Sequence, residues 1–289
     1  MQRSPHTRLC ASLLLAGALT ALGGCASTDT QPSGAPPAAW PDRLQTLLPT
    51  DVLLLGEQHD AADHQRLQRE AVLWLAARGQ LAAVVIEMAE SGHSTRALPR
   101  NATDGQAQAA LGWNDAAWPW KSYGPVVMAA VSAGIPVLGG NLPRSRMRAT
   151  MAETAWDQHL PAPALAQQYQ ALRDGHCGLL PESQIAPMAR IQLARDASMA
   201  QAAQEALRPG QAVLLVAGSG HVLRNVGIPT HWPTGLMSKV VVAQAMQATT
   251  AIKNRANTAA DMLIETPHLP PHDACAGLRD QQRPVRAQP

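Results

Sequence analysis

Short, wholly apolar runs punctuate this chain at intervals filled by amphipathic segments. Val52-Leu53-Leu54-Leu55, residues 81–86 and Val213-Leu214-Leu215-Val216 are the clearest. Runs of this length, bounded by turn residues, read as strands buried on both faces. Between the first two, residues 61–78 place Leu67, Ala71, Leu75 and Ala76 among charges, a helical period that stops before Gly79. The same pattern predicts helices over 125–133, 144–158, 162–173 and 183–207. The last is expected to open on Ser183 as its cap and to stop at Pro209-Gly210. Residues 135–138 and 239–243 supply two further strands. Strand and helix in alternation predict an α/β fold, a mostly parallel central sheet flanked by helices with a smaller helical subdomain.

Two of these strands end alike. Gly56-Glu57-Gln58-His59 follows the first, and Gly218-Ser219-Gly220-His221 follows the run at 213–216. Open α/β sheets bind ligands beyond the carboxyl ends of their strands, so His59 and His221 are expected to face one crevice. Glu87 and Asn141 stand at the ends of two other strands and join them. Two imidazoles and two carboxylates suit two chemistries. His59, Glu87 and His221 could hold a divalent ion such as Zn, Mn or Fe. Alternatively Glu57, His59, Glu87 and His221 could activate water by acid–base catalysis without a metal. Gly56, Gly218 and Gly220 would let the backbone turn sharply and let other groups approach. The plainer alternative is that each histidine only ties down its turn.

The amino terminus adds a compartment. Arg3 and Arg8 precede an apolar stretch over 9–22, too short for a comfortable membrane span and placed like a secretory signal. It runs into Leu22-Gly23-Gly24-Cys25, which resembles a bacterial lipobox. Residues 1–24 then form a lipoprotein signal peptide. Cys25 is the lipidation site and 25–41 a lipidated, flexible tether rich in Ser, Thr, Ala and Pro. With no aspartate after Cys25, the expected place is the outer membrane, facing the periplasm. Residues 1–24 contain two arginines and no acid, so without them the formal charge falls from +2 to 0. A neutral domain without a Lys/Arg block excludes nucleic acid as a partner class.

Residues 42–278 make one domain of ample size for a buried core, followed by a disordered tail over 279–289. Cys10 leaves with the leader and Cys25 carries lipid, so Cys177 and Cys275 remain in an oxidising compartment. A disulfide between them would restrict the unfolded chain by about 4 to 5 kcal/mol; the alternative is two free buried thiols. Trp113, Trp118, Trp120 and Tyr123 gather four of the nine aromatic residues into one short segment. Gln192, Arg195, Asp196 and Met199 share a helix face, either lining the crevice or forming a buried network. His64, His268 and His272 read as solvent-facing.

The segments LLLGEQHD (53–60), VVIEM (84–88), the Trp-Pro-Trp-x-x-Tyr run (118–123), GNLPR (140–144), GHCG (175–178), QLARDASMA (192–200) and VLLVAGSGHVLRNVGIP (213–229) together resemble the ChaN family of haem-binding uptake lipoproteins. That family lies in a superfamily with Tiki-type metalloproteases and erythromycin esterases. The resemblance implies haem as ligand, iron acquisition at the outer membrane, a homodimer around stacked haems and an outer-membrane haem receptor as partner. It also implies an axial ligand. Haem iron accepts Tyr, His, Cys or Met, and of Tyr123 and Tyr169 the first is the preferred candidate. A porphyrin would stack on Trp120 and its neighbours, unless the cluster is a packing plug over the sheet's end. Arg144 would pair with a haem propionate or a substrate carboxylate, or else sit in a surface ion pair. Arg195 is counted with Gly56, Asn141, Gly218 and Gly220 as pocket. The superfamily's other branches leave a hydrolase, with or without metal, as the alternative, and a non-catalytic envelope protein as a third.

Overall fold

The computed structural model describes residues 39–246, 259–270, 273, 275, 276 and 279. The signal peptide, Cys25, most of the tether, His272 and nearly all of the tail lie outside the described residues. In chain order the elements are α1 (Trp40–Gln45), β1 (Val52–Glu57), α2 (Ala62–Ala77), β2 (Leu81–Glu90), α3 (Asp104–Ala110), α4 (Trp120–Ala133), β3 (Val137–Asn141), α5 (Arg144–Thr150), α6 (Ala162–Gly175), α7 (Glu182–Glu205), β4 (Ala212–Gly218), α8 (Ser219–Val222), β5 (Ser238–Ala245) and β6 (Met262–Thr266). Short 3₁₀ turns occupy Thr154–Gln158 and Ile228–His231.

The six strands form one sheet in the order β3-β2-β4-β1-β5-β6, and every pairing between them is parallel. Successive side chains of a strand point to opposite faces, and here both faces are covered. Leu53, Leu55, Val84, Ile86 and Leu214 pack with Leu67 and Leu75 of α2 and Val126 and Ala130 of α4. Val52, Leu54, Val85, Val213 and Leu215 pack on the other side with Leu193, Met199 and Ala203 of α7. Each fully buried Leu or Val contributes roughly 1.5 to 3 kcal/mol of transfer free energy, which is why these strands carry no polar alternation. The helices between β3 and β4 add a small cluster of their own, Leu172, Ile185 and Ala189 with Tyr169, Leu180 and Met188 against it. Beside it Cys177, in a left-handed conformation at φ 59°, is joined to Cys275 in a disulfide.

Several elements differ from the sequence expectation. The helix expected from Pro125 begins at Trp120 and keeps Pro125 inside it, which carries Tyr123 onto the buried face of α4. The single helix expected over 144–158 stops at Thr150 and resumes as a 3₁₀ turn, pinned to α7 by Arg190 on Asp157 and on the Met151 carbonyl. Ser183 does not cap α7; Pro181 occupies the cap position and makes no side-chain bond there. β6 was not foreseen. Nor was the burial of His64, 1 % exposed, whose Nδ1 accepts from the Gln58 amide and whose Nε2 meets Thr266 Oγ1 at 2.9 Å. Burial holds its pKa below the usual histidine value, so it works as a neutral tie between β1 and β6. His268 is exposed as expected.

Candidate functional site

Three neighbouring strands, β2, β4 and β1, deliver the candidate residues. All point the same way, so their carboxyl ends open on one edge. Register places Glu57 opposite Gly218, with Glu87 one residue past the Ile86–Val216 pair. His59 and His221 each follow the end of their strand and meet across Glu87. His59 Nε2 lies 3.9 Å from Glu87 Oε2, and His221 Nε2 lies 3.5 Å from Glu87 Oε1.

The other nitrogen of each ring is held by a second carboxylate. His59 Nδ1 is 2.8 Å from Glu57 Oε1, and His221 Nδ1 is 2.6 Å from Asp196 Oδ1 on α7. Glu57 also accepts from the Tyr123 hydroxyl at 2.7 Å, from Gln65 at 2.8 Å and from Gln68 at 2.5 Å. Those four donors explain how a carboxylate survives full burial at the end of a central strand. Glu87 accepts the Gly218 amide at 2.7 Å, and Asn141 Nδ2 donates to its backbone carbonyl. The ring of Trp118 stands edge-on to His59 with centroids 4.8 Å apart.

Two of the three glycines have clear reasons. A Cβ on Gly56 would collide with Val222, and one on Gly218 would lie 3.0 Å from His59 Nε2. Nothing lies within 4 Å of a Cβ at Gly220, so the expected close approach there is absent.

The electrostatics raise the pKa of both imidazoles. Burial opposes charge on His221, but Glu87 and Asp196 outweigh it and raise its pKa to about 9. His59 is also raised: burial again works against the charge, while the bond to Glu57 and the charge of Glu87 favour it. Glu87 is lowered in spite of burial because both imidazoles and the Gly218 amide stabilise its anion. Asp196 goes the other way, pushed up to about 6 by burial that His221 offsets only in part. At neutral pH His221 is therefore an imidazolium clasped between two carboxylates. His59, whose side chain is 40 % exposed against 14 % for His221, is the ring more open to solvent.

Beside these groups lies a cavity of about 300 Å³ lined by Trp118, Asn141, Arg144, Met147, Arg195 and Glu87, among others. Arg144, Arg195 and Asn141 line this cavity. Trp120 does not: its indole Nε1 donates to Asp104 on α3 and its ring meets Trp113, away from the cavity. Trp118 lines the cavity instead. The expectation of Tyr123 as an open iron ligand is not met by this arrangement either, since the residue is 3 % exposed and its hydroxyl is committed to Glu57. Burial and the Glu57 charge push its pKa far above the ordinary tyrosine value. The metal set of His59, Glu87 and His221 does not form. Among the described residues no group of three or more His, Cys, Asp or Glu could hold a metal ion.

Sequence reasoning missed Gln65 and Gln68 as anchors of Glu57. Their spacing three apart at the start of α2, on the face of Leu67 and Ala71 that packs inward, was the available signal. Nothing local marks Asp196 as the partner of His221, 25 residues away.

Residues 43–231 match the family described as "Haem-binding uptake, Tiki superfamily, ChaN". Among solved structures, the chain is similar to ChaN of Campylobacter jejuni, described with cofacial haem binding. Identity is 25%, the match covers 72% of this chain and 87% of that one, and the TM-score is 0.61. The type III effector HopBA1 matches at 13% identity over 81% of this chain and 96% of that one, with a TM-score of 0.45. A Bacillus cereus protein matches at 11% identity over 72% and 70%, with a TM-score of 0.40. No curated protein matches the chain.

Proposed function

This chain belongs to the haem-binding uptake family ChaN of the Tiki superfamily, and on that premise we propose that it binds haem as cargo in haem or iron uptake. The observation that carries the reading is the family match over 43–231, which includes every residue of the cleft. The likeness to the Campylobacter jejuni ChaN supports the same ligand. The donor chemistry of the cleft is compatible with it. Haem iron accepts an imidazole nitrogen, and His59, with a side chain 40 % exposed, keeps Nε2 free of a hydrogen bond while Glu57 fixes the tautomer through Nδ1. Trp118 beside it supplies a flat apolar wall. Tyr123 would have to leave Glu57 and lose its proton to serve instead.

We propose further that the protein is anchored through a lipidated Cys25 in the outer membrane, faces the periplasm, pairs as a homodimer around its haems and exchanges haem with an outer-membrane receptor. The lipobox and leader support the anchor; among the described residues no helix is long and apolar enough to cross a membrane. Titration of haemin into the protein tests the central reading. A shifted Soret band is expected, weakened by His59→Ala and retained in Tyr123→Phe and Tyr169→Phe. Absence of any spectral change at micromolar haemin would refute it. Light scattering across the same titration reads the dimer, and Cys25→Ser should release the protein from the membrane fraction.

A second reading is favoured by one observation: two imidazoles, each oriented by a buried carboxylate, face the same Glu87. Such a pair can divide general-base and general-acid roles, His59 taking a proton from water and His221 giving one to a leaving group. Ester and peptidase screens on wild type and His59→Ala decide it; hydrolysis indifferent to that substitution counts against it.

A further inference from the structure

Arg195 is adjacent to Asp196 on α7, yet the two do not pair, because Asp196 is turned to His221. The Nε of Arg195 is buried without a hydrogen-bond partner among the described residues. Its guanidinium makes one weak contact, Nη2 to Met147 Sδ at 4.0 Å. The residue is half-buried and feels the charges of Glu87 and Asp196 without a direct bond to either, so its fork has donors to spare. The acids close by are already engaged: Glu87 by the Gly218 amide and two imidazoles, Glu90 by the Arg144 backbone amide at 3.1 Å.

Arg144 lines the same cavity from α5, and its own guanidinium forms no ion pair among the described residues. Two forks with no ion pair among the described residues therefore border one space of about 300 Å³, where Trp118, Met88 and Met147 supply apolar wall beside the already bonded Glu87, Glu90 and Asn141. A planar guanidinium matches a carboxylate in a two-point contact, a geometry that no water or amide reproduces.

We propose that this cavity is a carboxylate-binding subsite, with Arg195 as the principal contact and Arg144 as the second. It takes the acid group of a ligand whose apolar body lies against Trp118. The ligand identity rests on the haem reading: a porphyrin would enter by a propionate. A smaller aryl or alkyl carboxylate, as a hydrolase substrate would present, has the same chemistry at that end.

Calorimetry on the full chain separates these cases. The probes are metal-free protoporphyrin IX and its dimethyl ester, and 2-naphthoate and 2-naphthamide. The expected result is that each acid binds at least tenfold more tightly than its neutral partner. Arg195→Gln should abolish that preference, Arg195→Lys should keep part of it, and Arg144→Gln should reduce it. Equal binding of acid and neutral forms by wild type overturns the proposal without reference to any variant. An undiminished preference in a folded Arg195→Gln protein also overturns it, as does failure of both acids to bind. Binding of naphthoate through Arg195 with no binding of porphyrin upholds the subsite and removes the haem reading.

Discussion

Asp196→Asn is the most informative single change, because it alters one charge and no volume. In the wild-type protein His221 is raised from 6.5 to about 9 against the opposing effect of burial. Glu87 and Asp196 together must therefore outweigh both the net shift and the desolvation. Removing one of them should lower His221 by about one unit or more, on the order of 1 kcal/mol of differential interaction. The sign for stability follows from the direction of the shift. A histidine whose folded pKa exceeds its unfolded value stabilises fully below about pH 6.5 and loses that contribution as pH rises through the folded pKa. For His221 the window is about pH 6.5 to 9 and the amount roughly 3 kcal/mol, reduced somewhat by its 14 % exposure. His59, also raised, adds to the slope in both proteins and cancels in the comparison. Asp196 itself, raised to about 6, disfavours the folded state above that pH, so its replacement need not lower stability at pH 7. Imidazole titration by NMR should place His221 near 9 in wild type and about a unit or more lower in the variant. Urea denaturation between pH 6.5 and 9.5 should show a correspondingly shallower decline. Equal titration midpoints in the two proteins, or a stability of the wild type that does not fall across the window, would refute the argument.

Gly56→Ala should destabilise by about 1 to 3 kcal/mol, since the new methyl collides with Val222 and lies 3.1 Å from the Ser219 Cα; thermal melts read this. Gly218→Ala should displace the His59 ring and weaken haemin binding more than it lowers stability, because its Cβ meets His59 Nε2. Reduction of Cys177–Cys275, or Cys275→Ser, should lower stability by about 4 to 5 kcal/mol on the chain-entropy model for a separation of 98 residues; urea curves with and without reductant check it.

The strands that form the middle of the sheet were legible because both faces are buried, leaving uninterrupted Val and Leu runs at 52–55, 81–86 and 213–216. β6 was not, because it is an edge strand on which only Ile264 and Thr266 are buried. Its composition carries neither the continuous run nor a clean alternation. α3 did carry a local signal: Thr103 and Gln106 form a capping box at its start, a three-residue spacing visible in the sequence. The convergence of His59 and His221 could be read from their matching strand ends. What could not be read was which groups hold them. Glu57 binds Tyr123 across 66 residues of chain, and Asp196 reaches His221 from a helix on the opposite face of the sheet from α2. Pro125 invited a helix start, and only packing of α4 against α2 shows why the helix begins earlier and buries Tyr123.

The parallel register of β1 against β4 has a consequence for how this chain can vary. Leu53 and Leu55 belong to one core and Val52 and Leu54 to the other, while Glu57 ends the same strand opposite Gly218. Slipping the strand by one position would exchange the two hydrophobic sets and, in the same step, turn Glu57 away from Tyr123, Gln65 and Gln68. The cleft thus has no tuning independent of the sheet: insertions and deletions that spare it are confined to the loops, and a length change inside β1 abolishes ligand site and fold together.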